Sequence, residues 1–209
     1  MTSAADDVVK MNAAGVRQAE HRINAQFLNR WSPRAMSGER ISREELMQLF
    51  EAARWAPSSY NAQPWRFLYA ERTSKDWPRF LGLLIEFNQK WCASAAALVV
   101  VVSRKNFEMN NKPSVTHSFD TGAAWGYLAL QGSLQGLVVH GMQGFDYDRA
   151  RTELAVPDDH EVMAMCAIGK PGHVSDLPAD IQAREQPSGR KTLAEITCEG
   201  SFHFPGAKS

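Results

Sequence analysis

The sequence Ala56-Pro57-Ser58-Ser59-Tyr60-Asn61-Ala62-Gln63-Pro64-Trp65-Arg66-Phe67 places two serines, an asparagine and a glutamine between two prolines. Pro57 ends the preceding helical pattern and Pro64 lacks a backbone N–H, so the residues between them cannot pair as an ordinary strand. Two hydroxyls and two amides within six positions can bind the edge of a planar, heteroatom-rich ring. A well-capped turn would explain any one of these residues alone. For the whole cluster, we favour a ligand-binding loop.

Three further blocks follow the same order as in a known family. They are Arg30-Trp31-Ser32-Pro33-Arg34, Gly136-Leu137 leading to Gly141-Met142-Gln143-Gly144-Phe145-Asp146, and Gly169-Lys170-Pro171 followed by Arg190-Lys191. Together with the loop, which reads Pro-Ser-Ser-x-Asn-x-Gln-Pro-Trp-x-Phe, these blocks resemble the nitroreductase family of flavoproteins. The loop matches the family pattern at every fixed position. The resemblance covers roughly residues 16 to 200.

Composition points to one ordinary globular domain without a charged partner. The chain has 209 residues, of which 44% are hydrophobic and 22% charged. Its 23 basic and 23 acidic residues cancel, so no overall field favours nucleic acid or an anionic membrane. The longest apolar run, Ala95–Val102, is far shorter than the roughly 20 residues of a membrane helix, so we expect a soluble, cytoplasmic protein. Three widely separated cysteines fit neither a disulfide framework nor a metal site.

Helical periodicity and stop signals predict five helices after a flexible lead-in at residues 1–15. A capping box at Ser42 and Glu45 marks the start of the second helix, and Pro57 marks its end. The five predicted helices cover about 16–27, 42–56, 78–88, 119–136 and 146–154. A single domain therefore spans residues 16–209.

Four β-rich segments complete the predicted fold. They are Phe67–Ala70, Leu98–Val102, Leu137–His140 and Val162–Ile168. The unbroken β-branched run of the second is typical of a central strand that is covered on both faces. Strands and helices neither alternate strictly nor segregate, which predicts an α+β sheet flanked by helices. The polar segment 103–118 is either a mobile lid or a solvated connector, and the sequence favours neither.

The resemblance implies more about the architecture. Its members have a central, mostly antiparallel sheet and form intertwined homodimers with two ligand sites at the interface. A C-terminal extension wraps around the partner in these dimers. Residues 192–209 of this chain are the predicted equivalent of that arm.

The resemblance also implies FMN as the cofactor, held first by its phosphate. Arg30 and Arg190 match family arginines, and guanidinium groups bind phosphate through bidentate, charge-assisted hydrogen bonds. Ser32 would add a hydroxyl donor, and Trp31 belongs to the same cofactor-binding element. Arg34 matches a cation near the pyrimidine side of the flavin, where it would stabilise the negative charge of the reduced ring.

The remaining predicted contacts surround the flavin ring. Asn88 matches an asparagine that hydrogen-bonds the pyrimidine edge. The backbone of Gly141, Met142, Gln143 and Gly144 would run alongside the ring, because glycine permits close approach. From the other subunit of the implied dimer, the pocket would be completed by Pro57, Ser58, Ser59, Asn61 and Gln63. Two departures concern Trp91 and Ser188, which stand where relatives have lysines.

No residue of the chain needs to act as a nucleophile. The sequence contains no Gly-x-Ser-x-Gly, His-Glu-x-x-His, Walker or Gly-x-Gly-x-x-Gly motif, so the chemistry is assigned to FMN and no side chain is named as catalytic. The resemblance implies an enzyme that takes hydride from NADH or NADPH and reduces nitroaromatic, quinone or related electron-poor acceptors in a ping-pong cycle. Two alternatives stay open: a specialised flavoenzyme for dehydrogenation or dehalogenation, and a flavin-binding protein without turnover.

Overall fold

A computed structural model describes residues 7–13 and 15–204, and in these ranges it contains eight helices and four strands. The helices are α1 (Ala25–Asn29), α2 (Arg43–Arg54), α3 (Trp77–Gly82), α4 (Glu86–Cys92), α5 (His117–Leu134), α6 (Tyr147–Glu153), α7 (Ala179–Gln182) and α8 (Leu193–Ile196). The strands are β1 (Trp65–Glu71), β2 (Ala97–Arg104), β3 (Val138–Met142) and β4 (His160–Gly169). Short 3₁₀ turns occupy Ser59–Asn61 and Val174–Asp176.

The four strands form one sheet in the order β1-β2-β4-β3, and every neighbouring pair is antiparallel. Val101 of β2 lies opposite Phe67 on one side and opposite Ala164 on the other. Residues 97–103 are all buried. The prediction of a central β-branched strand and a mostly antiparallel sheet is therefore confirmed.

Successive residues of β2 face two separate cores, as the twofold period of a strand requires. Leu98, Val100 and Val102 pack with residues of α3, α4 and α6. On the opposite face, Ala97, Val99 and Val101 pack with residues of α2 and α5. The sheet is thus covered by helices on both faces, which confirms the predicted α+β fold.

The helix predicted at 42–56 is confirmed as α2, together with its capping box. The backbone N–H of Glu45 donates to Ser42 Oγ at 3.1 Å, and the N–H of Ser42 donates to Glu45 Oε2 at 2.7 Å. These reciprocal bonds satisfy two N–H groups that the first helical turn otherwise leaves free. Local sequence alone is enough to define this end of α2.

The helix predicted at 16–27 is wrong, because only Ala25–Asn29 is helical. The residues that suggested it, Val16, Ile23 and Phe27, are each more than half exposed. Short helices are marginal in water unless an apolar stripe is buried against another element. This stripe is not buried within the chain, so residues 16–24 follow an irregular path.

The single helix predicted at 78–88 is instead two helices, α3 and α4, separated at Leu83–Ile85. The N–H of Ile85 donates to the carbonyl of Gly144 at 3.1 Å, and the N–H of Asp146 donates to the carbonyl of Leu83 at 2.9 Å. Leu84 and Phe145 form an isolated antiparallel bridge between these bonds. Pairing with a distant segment therefore replaces the helical hydrogen bonds at the break.

The part of the predicted N-terminal lead-in that the structure describes is packed against the sheet domain, unlike the frayed segment expected. The N–H of Val9 donates to the carbonyl of Gly172 at 2.9 Å, and both Val9 and Ala13 are buried. Residues 1–6 and Ala14 of the lead-in lie outside the described residues, as do residues 205–209 of the predicted arm. The division into lead-in, domain and arm stays a prediction.

The long helix predicted after residue 119 is α5, which ends where Gly136 adopts the left-handed conformation with φ of 70°. Its inner face carries the buried Ala124 and Leu128. Its outer face carries an exposed stripe that includes Phe119, Tyr127 and Leu134. Neither α5 nor any other helix in the described residues combines the length and hydropathy needed to cross a membrane.

Candidate functional site

Two of the predicted phosphate ligands, Arg30 and Arg190, lie close together in the structure. One guanidinium nitrogen of Arg30 donates to Ser32 Oγ at 3.1 Å, so the predicted hydroxyl also faces this cluster. Burial lowers the pKa of Arg30, and the neighbouring charges of Arg17 and Arg190 lower it further. Three guanidinium groups therefore repel one another across a small volume, which we name the arginine cluster (Arg17, Arg30 and Arg190).

A cavity of about 610 Å³ opens beside the arginine cluster. Its lining includes Arg17, Glu20, Phe27, Arg190 and Lys191. The carboxylate of Glu20 accepts a hydrogen bond from the N–H of Leu193 at 2.9 Å. None of the three arginines forms an ion pair with a carboxylate in the described part of the chain. The excess of positive charge suits an anion such as a phosphate monoester.

Arg34 follows the arginine cluster in sequence but has a buried carboxylate beside it. One terminal guanidinium nitrogen lies 3.6 Å from Glu185 Oε2, and the Glu185 side chain is fully buried. Glu185 Oε1 accepts hydrogen bonds from the N–H groups of Arg34 at 2.5 Å and Ala35 at 2.8 Å. The Nε of Arg34 is buried without a hydrogen-bond partner among the described residues. Glu185 thus fixes the Arg30–Arg34 element and partly neutralises it.

His140 is a partly buried histidine near both Arg34 and Arg30. Its Nδ1 is 2.9 Å from the carbonyl oxygen of Pro33, which can only accept, so Nδ1 carries the proton. Burial, reinforced by the charges of Arg34 and Arg30, lowers the pKa of His140 to about 4. The ring is therefore neutral at pH 7. Both arginines therefore lie near His140.

Asn88 is buried, and the protein itself uses both ends of its amide. Nδ2 donates to the carbonyl of Gly144 at 2.9 Å, and Oδ1 accepts from Trp91 Nε1 at 3.2 Å. The buried ring of Trp91 lies 4.7 Å from that of His140, centroid to centroid. One N–H of Asn88 remains to bind a ligand. The side chain at position 91 is thus a buried aromatic ring that packs against His140 and Asn88.

The predicted ring-facing residues 141–144 span the end of β3 and the turn after it, and they pack closely. A Cβ on Gly141 would lie 2.7 Å from Trp125 Cζ2, and one on Gly144 would lie 2.5 Å from Asn88 Nδ2. Met142 is buried, with its sulfur 3.8 Å from that of Cys92, whereas the side chain of Gln143 is exposed. The two glycines are therefore required by packing, besides any contact with a ligand.

The proline-bracketed loop is exposed and satisfies many of its own polar groups. Ser58 Oγ accepts from the N–H of Gln63 at 3.0 Å, and Gln63 Nε2 donates to the carbonyl of Asn61 at 3.1 Å. The N–H of Ser59 donates to Asp120 Oδ2 at 3.1 Å, at the start of α5. Tyr60, Asn61 and Gln63 all have positive φ, so the loop holds an unusual backbone shape.

Within one chain, this loop and the arginine cluster lie near opposite ends of α5. The loop contacts Asp120, whereas Gln26 of α1 donates to the carbonyl of Leu130 at 3.2 Å. Ten residues of helix between these points correspond to about 15 Å along the axis. Beside the loop is a second cavity of about 320 Å³, lined in part by Tyr60, Phe107 and Met109.

The structure places some of the predicted site residues near one another and others apart. Arg30 lies near Ser32 and Arg190, Arg30 and Arg34 both lie near His140, and Asn88 is bonded to Gly144. The side chain of Trp31 is buried elsewhere, and its Nε1 donates to the carbonyl of Lys10 at 2.8 Å. Pro57, Ser58, Ser59, Asn61 and Gln63 form a separate surface.

Three residues of this region, Arg17, His140 and Glu185, were missed from the sequence as site residues. Arg17 lies within the predicted helix 16–27, and neither His140 nor Glu185 belongs to a motif that indicates a role. Each reaches the site through contacts with residues far away in the chain. The only sequence signal for these three residues is that Arg17 lies upstream of the predicted ligand Arg30. An arginine in such a place is by itself typical of an ordinary surface charge.

A second polar cluster contains Ser103, His117 and Glu161. His117 Nδ1 lies 3.0 Å from Ser103 Oγ, and its Nε2 lies 3.6 Å from a carboxylate oxygen of Glu161. Ser103 is fully buried and also accepts from Thr121 Oγ1 at 2.8 Å, so a substrate cannot reach it. Residues 7–13 and 15–204 contain no group of three or more His, Cys, Asp or Glu side chains placed to hold a metal ion.

Comparison with known proteins identifies relatives of this chain. The model of the nitroreductase family matches residues 28–90. A Helicobacter acinonychis protein named oxygen-insensitive NADPH nitroreductase is 45% identical over 69 residues, which are 33% of this chain and 32% of that protein. Matches with the first curated relatives cover less than half of those proteins' own length.

Two longer matches cover most of the fold. A Streptomyces coelicolor protein, provisionally named an NADH dehydrogenase/NAD(P)H nitroreductase, is 30% identical over 146 residues, 60% of this chain and 71% of that protein. A solved structure described as an oxidoreductase containing FMN is 47% identical, with a TM-score of 0.86, and the match covers 90% of this chain and 96% of that one. With the four ordered motifs and the antiparallel fold, these matches show that the chain belongs to the nitroreductase family.

Proposed function

We propose that this protein is an FMN-dependent oxidoreductase that takes hydride from NADH or NADPH and reduces nitroaromatic, quinone or related electron-poor acceptors in a ping-pong cycle. The observation that carries the proposal is the arginine cluster, which has no described carboxylate partner and lies beside a cavity. The FMN-containing relative of 47% identity supports the same cofactor.

The residues present fit FMN at both ends of the molecule. The half-buried Arg30 and Ser32 and the exposed Arg190 offer N–H and O–H donors that suit a phosphate monoester, and neither arginine has a described carboxylate partner. Arg34 Nε is a buried donor without a described partner and would gain a hydrogen bond from an acceptor on the ring. When bound, FMN supplies the hydride-accepting ring. The side chains of the protein bind, orient and stabilise charge.

Arg34 would favour reduction less than an isolated cation, because Glu185 lies beside it. A carboxylate 3.6 Å from the guanidinium offsets much of its positive potential. The neutral His140 adds no charge to the same region. We therefore infer that the protein stabilises the reduced flavin mainly through hydrogen bonds and only partly through net charge.

We also infer that the protein is a homodimer in which the proline-bracketed loop of one subunit completes the site of the other. Within one chain the loop lies near the start of α5 and the arginine cluster lies nearer its end, and the resemblance assigns the loop's contact with the flavin to the partner subunit. The outer stripe of α5 is apolar and exposed, and such a surface marks an interaction site. Leu193, Ile196 and Phe202 in the proposed C-terminal arm are also exposed.

A charge on the outer stripe of α5 should dissociate the dimer. In Phe119→Glu, whose wild-type side chain is 79% exposed, the fold should persist while an apolar interface gains an unpaired charge, and we expect the molecular mass to halve at micromolar concentration. Light scattering after gel filtration measures the change. Ala183→Glu places the same charge on the opposite face of the sheet and should leave the mass unchanged. A wild-type protein with the mass of one chain would contradict the proposed dimer.

The proposed activity is tested by an absorbance spectrum before and after anaerobic NADH or NADPH. We expect flavin bands in protein that has been given FMN and passed through gel filtration, bleaching by one of the two donors, and recovery with a quinone. Protein that stays colourless contradicts the FMN proposal itself. Bound flavin that never bleaches would instead favour the flavin-binding protein without turnover. The specific observation for that second candidate is the buried Trp91 where relatives have a lysine.

A further inference from the structure

Arg17 makes an unusual set of contacts in the arginine cluster. Its guanidinium donates to three backbone carbonyl oxygens: Leu28 at 3.0 Å, Arg30 at 2.7 Å and Ser188 at 2.9 Å. Leu28 and Arg30 belong to the first arginine-bearing segment, and Ser188 lies two residues before Arg190. One side chain therefore joins two segments that are about 160 residues apart in sequence.

Apart from Arg17, the two segments are joined by Glu185, which lies shortly before Ser188 and accepts from the N–H groups of Arg34 and Ala35. Ser188, Gly189 and Arg190 are exposed and lie outside the helices and strands, and the guanidinium of Arg190 otherwise bonds only within residues 188–190. Arg30 bonds to Ser32 on its own segment. Arg17 is thus the described contact that joins the two segments directly at Arg30 and Ser188, beside the predicted phosphate ligands, whereas Glu185 joins them farther from those ligands.

Arg17 also keeps part of its own donor capacity. Its three bonds use Nε and both hydrogens of one terminal nitrogen. The other terminal nitrogen has no partner among the described residues and is available to an anion. Burial and the charge of Arg190 lower the pKa of Arg17, but a guanidinium remains protonated at neutral pH. Its charge therefore adds to the field in the cavity.

We propose that Arg17 is a positioning residue that assembles the phosphate-binding site by joining residues 28–30 to residues 188–190, and that its charge takes the place of the cation missing at Ser188. This inference rests on the proposed FMN function. It predicts that Arg17 acts on the phosphate end of the flavin and not on its ring. A residue that only stabilised the fold would affect both ends alike.

The test is a comparison of FMN with riboflavin, which lacks the phosphate. In Arg17→Gln we expect the Kd for FMN to rise about tenfold or more, since charge-assisted hydrogen bonds are among the strongest, while the Kd for riboflavin stays unchanged. Arg17→Lys keeps the charge without the three-way fork and should give an intermediate loss. Flavin fluorescence quenching measures both constants, and competition by inorganic phosphate should weaken in the same order.

A double-mutant cycle with Arg30→Ala shows whether Arg17 acts through Arg30. If it does, the loss of FMN affinity in the double variant should be smaller than the product of the two single losses. Wild-type affinity for FMN in Arg17→Gln, with Arg30→Ala still impaired, overturns this inference and leaves the proposed function intact. Equal losses for FMN and riboflavin overturn it as well. Wild-type protein that binds neither flavin overturns the inference and the FMN function together.

Discussion

Glu185→Ala should lower the free energy of unfolding by about 3 to 5 kcal/mol, as expected when one partner of a buried ion pair is removed. The side chain of Glu185 is fully buried and accepts from two backbone N–H groups, those of Arg34 and Ala35. Alanine would leave both donors without a partner and would leave the Arg34 guanidinium, 23% exposed, without its carboxylate. Urea denaturation of the flavin-free protein measures the loss.

Two control variants separate this effect from a general effect of removing an acid. Glu39→Ala breaks an exposed contact with Lys170 and should cost at most about 1 kcal/mol. Glu185→Gln keeps an acceptor for the backbone N–H groups but loses the charge, and should fall between the two alanine variants. A loss in Glu185→Ala no larger than in Glu39→Ala would contradict the role assigned to Glu185.

Arg30→Ala should weaken FMN binding by about 100-fold, or about 2.7 kcal/mol, the scale of a lost charge-assisted bidentate contact. Arg30 is the more buried of the two predicted phosphate ligands, and its guanidinium already faces Ser32. Binding of riboflavin should be unaffected. Fluorescence titration with each flavin measures the ratio of the two affinities.

Two control variants show whether a loss of FMN affinity in Arg30→Ala is specific to the guanidinium at this position. Arg30→Lys keeps the charge but loses the fork, so we expect it to recover only part of the affinity. Arg184→Ala removes an exposed arginine after α7 and should bind FMN as the wild type does. If Arg30→Ala retained full FMN affinity, the phosphate would have to bind elsewhere.

The sequence predicted those elements whose cause is local. The capping box of α2 and the β-branched run of β2 contain the reason for their structure within a few residues, and both are confirmed. The break between α3 and α4 has a distant cause, because Ile85 bonds to Gly144. The segment 16–24 has apolar spacing without a surface to cover it in one chain. Periodicity cannot detect either condition.

The candidate site divides in the same way. Motifs identified Arg30, Arg34 and Arg190, because the family pattern fixes their position along the chain. Arg17 and Glu185 bond to backbone groups of the segments that carry these arginines. Every residue type has such backbone groups, so a sequence motif does not reveal these contacts. His140 likewise has a lowered pKa only because folding buries it near two guanidinium groups. Such supporting residues become visible only in three dimensions.

The bridge between Leu84 and Phe145 has a mechanical consequence for catalysis. It ties α4, which carries Asn88 and Trp91, to the turn after β3, and the bond from Asn88 to Gly144 adds a second connection. We therefore expect α4 and the turn after β3 to move together as one unit. For the proposed reductase, we expect adaptation to acceptors of different shape to involve surfaces outside this unit, such as the 103–118 segment, where Phe107 meets Tyr60 edge to face.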